Sequence, residues 1–141
     1  DLNFERKKVP LKKIIDMQIK KTGKLFSFCC IVPLIISKKI KLYREFDKIG
    51  SNIGLLFQIV DDLIDYKGKT KKVGKKTNKD KKIGKATLIS LLGYENTIKY
   101  SEKLKLNIFK SLDKFGSKAS DLKDTIEYIV VRSKWRKIIK F

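Results

Sequence analysis

Apolar positions in this chain recur three and four residues apart, and strand-like alternation is missing. Pro10 suits the first residue of a helix, and beyond it Leu11, Ile14, Ile15, Ile19, Leu25, Phe26, Cys29 and Cys30 fall at helical spacing. The most apolar run, Leu25 to Ile36, is broken by Pro33 and flanked by lysines. It is shorter than the ~20 apolar residues that a membrane span needs, so it predicts a buried helix kinked at the proline and no membrane span. Ser37 to Lys41 is a polar break. A second helix is predicted from about Leu42 to Tyr66, with Phe46, Ile49, Ile53, Leu56, Phe57, Val60 and Ile64 on one wide stripe. Gly50 and Gly54, four apart, would let a neighbouring helix come close. A third helical region is predicted from near Ala86 to about Phe115, with a break at Gly93 and a glycine cap at Gly116. Ser120 or Asp121 would cap a last helix running through Val130 to Trp135. No strand or internal repeat is visible, and the fold class expected is all-α.

Composition narrows the chemistry. The chain has 141 residues, enough for one domain or part of one, and 42% of them are hydrophobic, enough for a core. Its 35 Lys+Arg against 15 Asp+Glu give a formal net charge of +20, which favours polyanionic partners: nucleic acid, an acidic membrane surface or a phosphorylated metabolite. Arginine occurs only at Arg6, Arg44, Arg132 and Arg136. Nucleic-acid readers lean on arginine forks, so this scarcity counts against one. With no histidine, serine–histidine and cysteine–histidine nucleophiles are excluded. Cys29 and Cys30 are adjacent, which disfavours a disulfide, and they are expected as small core residues in a reducing cytoplasm. The start at Asp1, without methionine or leader, suggests a fragment.

The candidate chemistry sits where the second helix ends. Gln58-Ile59-Val60-Asp61-Asp62-Leu63-Ile64-Asp65 places three carboxylates, spaced D-D-x-x-D, at the end of the apolar run. Asp61 and Asp65 lie one turn apart on one side, Asp62 shares the same mouth, and Gln58 lies one turn before the pair. Clustered carboxylates repel one another, and at a helix C-terminus they also face the negative end of the dipole. A hard divalent cation would relieve both penalties, and oxygen ligands suit Mg²⁺. Alone, the motif is equally that of a solvated acidic helix end screened by lysines.

Its neighbours shift that balance. Ten lysines between Lys67 and Lys85 are punctuated by Gly68, Gly74 and Gly84. Gly74-Lys75 and Gly84-Lys85-Ala86-Thr87 suit phosphate contact, because glycine permits close backbone approach and lysine adds a point charge. The P-loop pattern does not fit, since the glycine spacing differs and a helix precedes the loop. Lys75 and Lys85 are the specific candidates, and most of the other lysines are expected to be solvated. Upstream, Lys21-Thr22-Gly23 puts an ammonium and a hydroxyl beside a glycine within a helix, a second wall for an anion.

In order along the chain, these residues resemble the C-terminal half of a trans-isoprenyl diphosphate synthase, of the bacterial farnesyl diphosphate synthase type. Asp1-Leu2 and Val9-Pro10-Leu11 resemble the end of that family's glycine-glycine-glutamine segment and the helix after it. Lys21-Thr22-Gly23 is similar to its K-T-G, and Gly54 with Phe57 to Asp65 to its second aspartate-rich motif. Gly74-Lys75, Asp80 and Gly84-Lys85-Ala86-Thr87 are similar to its lysine loop, followed by Leu91-Leu92-Gly93. Tyr128 to Lys134 resembles its C-terminal helix.

The resemblance implies a partial isoprenoid-synthase helical bundle, with residues 1–141 as the C-terminal part of a single domain. It implies Mg²⁺ as cofactor, held through Asp61, Asp62 and Asp65. Lys21, Lys75 and Lys85 would contact an allylic diphosphate, while Thr22 and Gln58 would face the developing cation. The implied reaction condenses isopentenyl diphosphate with dimethylallyl or geranyl diphosphate to farnesyl diphosphate, in a cytoplasmic homodimer. The family's first aspartate-rich motif, its isopentenyl diphosphate site and its product-length residues are absent. The loop also departs from the pattern at Lys67 to Lys72 and at Asn78-Lys79-Asp80. The chain alone is therefore expected to be inactive. The alternatives are a degenerate or regulatory partner subunit and a basic nucleic-acid-binding helical module.

Overall fold

The protein is described by a computed structural model that covers residues 10–72 and 87–135, with side chains for 10–68 and 87–132. Gly74, Lys75, Asp80, Gly84, Lys85 and Ala86 lie outside the described residues. The described elements are helical, as the apolar spacing predicts: α1 (Leu11–Gln18), α2 (Lys24–Ile36), α3 (Tyr43–Lys72), α4 (Leu88–Leu92), α5 (Tyr94–Leu112) and α6 (Ser120–Trp135). A π-helical segment, Ile19–Gly23, joins α1 to α2, and short 3-10 stretches at Ile40–Leu42 and Asp113–Ala119 form the other tight joints.

Pro10 stands just before α1, with φ −60° and ψ 145°, and its carbonyl accepts from the amides of Lys13 and Ile14. Thr87 starts α4: its hydroxyl accepts from the Ser90 amide at 3.3 Å, while the Ser90 hydroxyl accepts from the Thr87 amide at 3.1 Å. This reciprocal cap satisfies backbone donors that a helix start leaves open. Gly93 ends α4 at φ +79°, ψ 166°, a conformation that side-chain-bearing residues rarely adopt. Gly116 has positive φ within the 3-10 stretch, so it forms the turn after α5 instead of directly capping a helix that reaches Phe115.

The central element is α3. One face supplies Ile49, Ile53, Leu56 and Val60 to a core shared with Ile108 and Leu112 of α5 and Ile126, Ile129 and Val130 of α6. A second face supplies Leu55, Ile59 and Leu63 to a core shared with Ile14, Leu88 and Ile89. The single predicted stripe is therefore only one of two buried faces, and the near-continuous apolar run from Ile53 to Ile64 reflects both.

The glycine pair closes a third contact. A Cβ on Gly50 would lie 2.5 Å from the Ser27 Cα, and one on Gly54 would lie 2.6 Å from the Gly23 Cα. These are backbone atoms that cannot rotate away, so α2 and α3 meet at a seam that only glycine allows. Beside it, the Ser27 hydroxyl donates to Asp47 at 2.5 Å.

Two expectations change. α3 continues to Lys72, so Lys67 to Lys72 are helical and not loop. Lysine tolerates a helix well, and the end of α3 is tethered: Tyr66 stacks on Tyr94 at 5.4 Å, and the Lys67 ammonium lies 5.6 Å from the Tyr94 ring. The cysteines are not both core residues: Cys29 is exposed and Cys30 is half-buried. The seam turns Ser27 and Ile31 inward, which leaves Leu25, Phe28, Cys29 and Ile36 on the outer side of α2.

Candidate functional site

The carboxylates stand at the end of the buried part of α3, where helix periodicity and two packed faces leave them a narrow open sector. Asp62 is the most enclosed. Its Oδ1 accepts from Gln58 Nε2 at 3.2 Å, one turn earlier on α3, and its Oδ2 accepts from Gln18 Nε2 at 3.1 Å, from the last residue of α1. Gln58 Oε1 in turn accepts from the Thr22 hydroxyl at 3.1 Å. Thr22, Gln58, Asp62 and Gln18 thus form one hydrogen-bonded relay across the junction of α1, the π segment and α3.

The π turn belongs to that relay. One extra residue per turn re-aims the side chains around Lys21 and Thr22, and such bulges concentrate at functional sites. Lys21 is exposed, and its charge acts on Asp62.

Burial pushes the Asp62 carboxyl above the usual carboxylate range; the Gln58 hydrogen bond and the Lys21 ammonium pull it back, and Asp65 and Asp61 push it up again. Burial thus disfavours the charged form of Asp62, and the Gln58 amide and the Lys21 charge favour it.

Asp61 has a different partner. The Arg132 guanidinium of α6 donates through Nη2 to Asp61 Oδ1, and its centre lies 4.5 Å from the centroid of the Phe57 ring. Phe57 rests on Phe26 at 5.4 Å, so the arginine lies on an aromatic platform built by α2 and α3. Asp65 is exposed, one turn beyond Asp61.

Two buried polar atoms lack a partner among the described residues: Gln18 Oε1 and Arg132 Nε. They flank Asp62 and Asp61 respectively. A buried unsatisfied group is costly, and here both sit beside the carboxylates and not in the cores.

The structure therefore brings together Lys21, Thr22, Gln58, Asp61 and Asp62, and leaves Asp65 on the same helix end facing outward. Lys75 and Lys85 fall outside the described residues. Thr87, read with the phosphate-contact segment, is engaged as the cap of α4. Gln18 and Arg132 were missed. Gln18 follows Ile14 by four residues, so it is a polar residue on a core-facing stripe, and it is only 3% exposed. Arg132 was readable only as a rare arginine next to two valines.

Comparison with known proteins places the chain in a family. A family profile described as polyprenyl synthetase matches residues 1–129. The chain belongs to the polyprenyl synthetase family. Within it, the chain is 32% identical over 139 residues to a farnesyl diphosphate synthase of Escherichia coli, covering 95% of this chain and 46% of that one. It is 35% identical over 135 residues to a geranylgeranyl diphosphate synthase of Cyanophora paradoxa, covering 94% and 45%. A crystal structure of a geranyltransferase from Helicobacter pylori superposes with a TM-score of 0.70 at 25% identity, covering 94% of this chain and 43% of that chain. The chain thus spans about half the length of the polyprenyl synthetases it matches.

Polyprenyl synthetases are generally Mg²⁺-dependent, which makes the donor set here testable for fit. Among the described residues no three acidic side chains converge as a closed cage. The donors are nonetheless of the right kind. Mg²⁺ keeps several waters and takes one or two carboxylates together with substrate phosphates, so a half-open wall of aspartates suits it better than a cage would. Gln18 Oε1 is buried behind Asp62 and lacks a donor among the described residues. The residues present fit one wall of such a site.

Proposed function

We propose that this chain is the C-terminal part, residues 1–141, of a single prenyl transferase domain. The reaction condenses isopentenyl diphosphate with an allylic diphosphate, dimethylallyl or geranyl, and farnesyl diphosphate is the product we favour. The reading rests on one observation above the rest. Asp62 is half-buried with an amide on each oxygen, with a paired Asp61 beside it and Lys21 near enough for its charge to act on Asp62.

In this reading Asp61, Asp62 and Asp65 hold Mg²⁺, directly or through water. Bound there, Mg²⁺ would supply positive charge to a departing diphosphate. Lys21, with Lys75 and Lys85 from the lysine loop, would bind the same diphosphate and stabilise the charge that develops as it leaves. Thr22 Oγ1 and Gln58 Oε1 are already oriented by each other, so their oxygens present a fixed dipole to an allylic cation at no reorganisation cost. Gln18 and Gln58 fix both oxygens of Asp62 and so set which lone pairs point outward.

The family resemblance also suggests a cytoplasmic homodimer that binds no nucleic acid. No described helix is long and apolar enough to cross a membrane. The rarity of arginine and the engagement of Arg132 with Asp61 leave little for base or phosphate readout.

The test is binding of a non-hydrolysable geranyl diphosphate analogue to the 141-residue chain by calorimetry. Binding should require Mg²⁺ and be lost in Asp61→Ala. Prenyl transfer by the isolated chain should not exceed a no-enzyme control. A folded chain that binds no analogue, with or without Mg²⁺, would instead be a non-catalytic partner subunit. Steeply salt-dependent binding to duplex DNA would favour the nucleic-acid module.

A further inference from the structure

Arg132 is engaged with the carboxylate cluster in a way that sets it apart from a surface ion pair. It reaches Asp61 from a different helix, 71 positions along the chain, and uses only Nη2 to do so. Its guanidinium lies over the Phe57 ring, 4.5 Å from the centroid, and Phe57 packs on Phe26. Its Nε is buried and has no partner among the described residues, so there the docked arginine leaves one donor unsatisfied. Its side chain is 28% exposed and that of Asp61 is 40% exposed, so the pair sits at the mouth of the site and not in the core.

A guanidinium in that position is a monovalent cation already seated on one of the carboxylates expected to take a divalent one. Two cations on one partly buried carboxylate repel each other with little screening. The unsatisfied Nε makes the docked arrangement less than optimal, while the Phe57 face gives the arginine somewhere to lie. Asp62 differs, because its partners are neutral amides that would not oppose a second cation.

We propose that Arg132 is a positioning residue that holds Asp61 when the site is free of metal and is exchanged for the divalent cation. Cation binding at Asp61 and docking of Arg132 then exclude each other, which couples the site to the last turns of α6. This rests on the reading of Asp61 as a metal ligand.

The experiment is a Mn²⁺ titration of the full 141-residue chain, read by the paramagnetic resonance of the free ion, on wild type, Arg132→Gln, Arg132→Lys and Asp61→Asn. Circular dichroism checks that each variant is helical. Arg132→Gln should bind Mn²⁺ several-fold tighter than wild type, because the competing charge is gone. Arg132→Lys should lie between them, since it keeps the charge but loses the fork and the flat face. Asp61→Asn should lose the site. In the wild type, Mn²⁺ should also speed amide hydrogen exchange around residues 129–132, and in Asp61→Asn it should not. If the Arg132 variants prove unfolded, that exchange measurement on the wild type decides alone. Equal or weaker Mn²⁺ binding by a folded Arg132→Gln, with Asp61→Asn still abolishing it, overturns the exchange while leaving Asp61 a ligand. No Mn²⁺ binding by any folded variant overturns both.

Discussion

The two halves of α3 solve opposite problems. Its first half meets α2 through Gly50 and Gly54, where added Cβ atoms would strike backbone at 2.5 and 2.6 Å. Backbone meets backbone along that seam, and the buried Ser27 hydroxyl beside it is satisfied by Asp47. The buried part of its second half has its tip at Asp61, Asp62 and Asp65, before α3 runs on to Lys72; there partners are recruited from α1, the π segment and α6, and two polar atoms lack a partner among the described residues. The seam is rigid because it lacks atoms that could move. The carboxylate end is held by hydrogen bonds that can be exchanged. One helix can thus fix a binding wall in place and still present strained, exchangeable groups at its tip.

The largest effect should come from breaking the seam. Gly50→Ala gains about 1 kcal/mol of helix propensity, but it forces a methyl against the Ser27 backbone. Overpacking of this kind costs about 1–3 kcal/mol, and more where neither side can shift, so a net loss of stability is expected. Thermal unfolding would check it. A variant as stable as the wild type would show that α2 can slide, and the contrast between a rigid seam and an adjustable tip would fail.

A smaller loss should follow from breaking the relay at the tip. Gln58→Leu removes a donor from Asp62 and the acceptor used by Thr22. A net cost of about 1–2 kcal/mol is expected from the lost hydrogen bonds. The Asp62 carboxyl should rise further, because the Gln58 bond is the first of the influences that lower it. A pH titration of Asp62 by carboxyl-selective NMR would separate that local change from general loosening. An unchanged Asp62 titration would mean that Gln18 alone holds it.

Much of this was legible in the sequence, for reasons that differ by region. The all-helical class, the break at Gly93 and the glycine seam follow from periodicity and from the absence of Cβ atoms, both local properties; the expected Ser120 or Asp121 cap is not formed, because a 3-10 stretch leads straight into α6 and Ser120 is already helical. The motif from Gln58 to Asp65 was legible because clustered carboxylates repel one another; the expected helix end was wrong, since α3 runs on to Lys72 and the dipole penalty at its C-terminus does not apply to them. Gln18 and Arg132 were not legible as site residues. Their partners lie 44 and 71 positions away, and no local pattern fixes which α1 or α6 side chain arrives there. The burial of Cys29 was misjudged because an apolar run says that a helix has a buried side, not which side the glycines of its neighbour will select. The second face of α3 was hidden for a related reason: Leu55, Ile59 and Leu63 merge with the first stripe into one run.

The smallest expected effect is also the most direct test of the cost carried at the tip. Asp62 is raised in the folded protein, chiefly by burial, so the folded state holds its proton more tightly than the unfolded state does. Between the unfolded and folded pKa the native protein binds more protons, and stability falls as pH rises through that window. Below the unfolded value the penalty is absent, and above the folded value it is fully present. Asp62→Asn removes the charge yet can keep the geometry, because Gln58 can turn its amide so that it accepts from the new side chain while Thr22 Oγ1 receives its N–H. The variant should therefore melt slightly higher than the wild type at pH 7, and the difference should shrink as pH is lowered through the carboxylate range. Mn²⁺ affinity should fall in the same variant. A gain in stability coupled to a loss of cation binding would mark Asp62 as a group kept charged for its ligand. A stability loss at pH 7 would instead make it an ordinary structural acceptor, and the contrast between the two halves of α3 would reduce to burial alone.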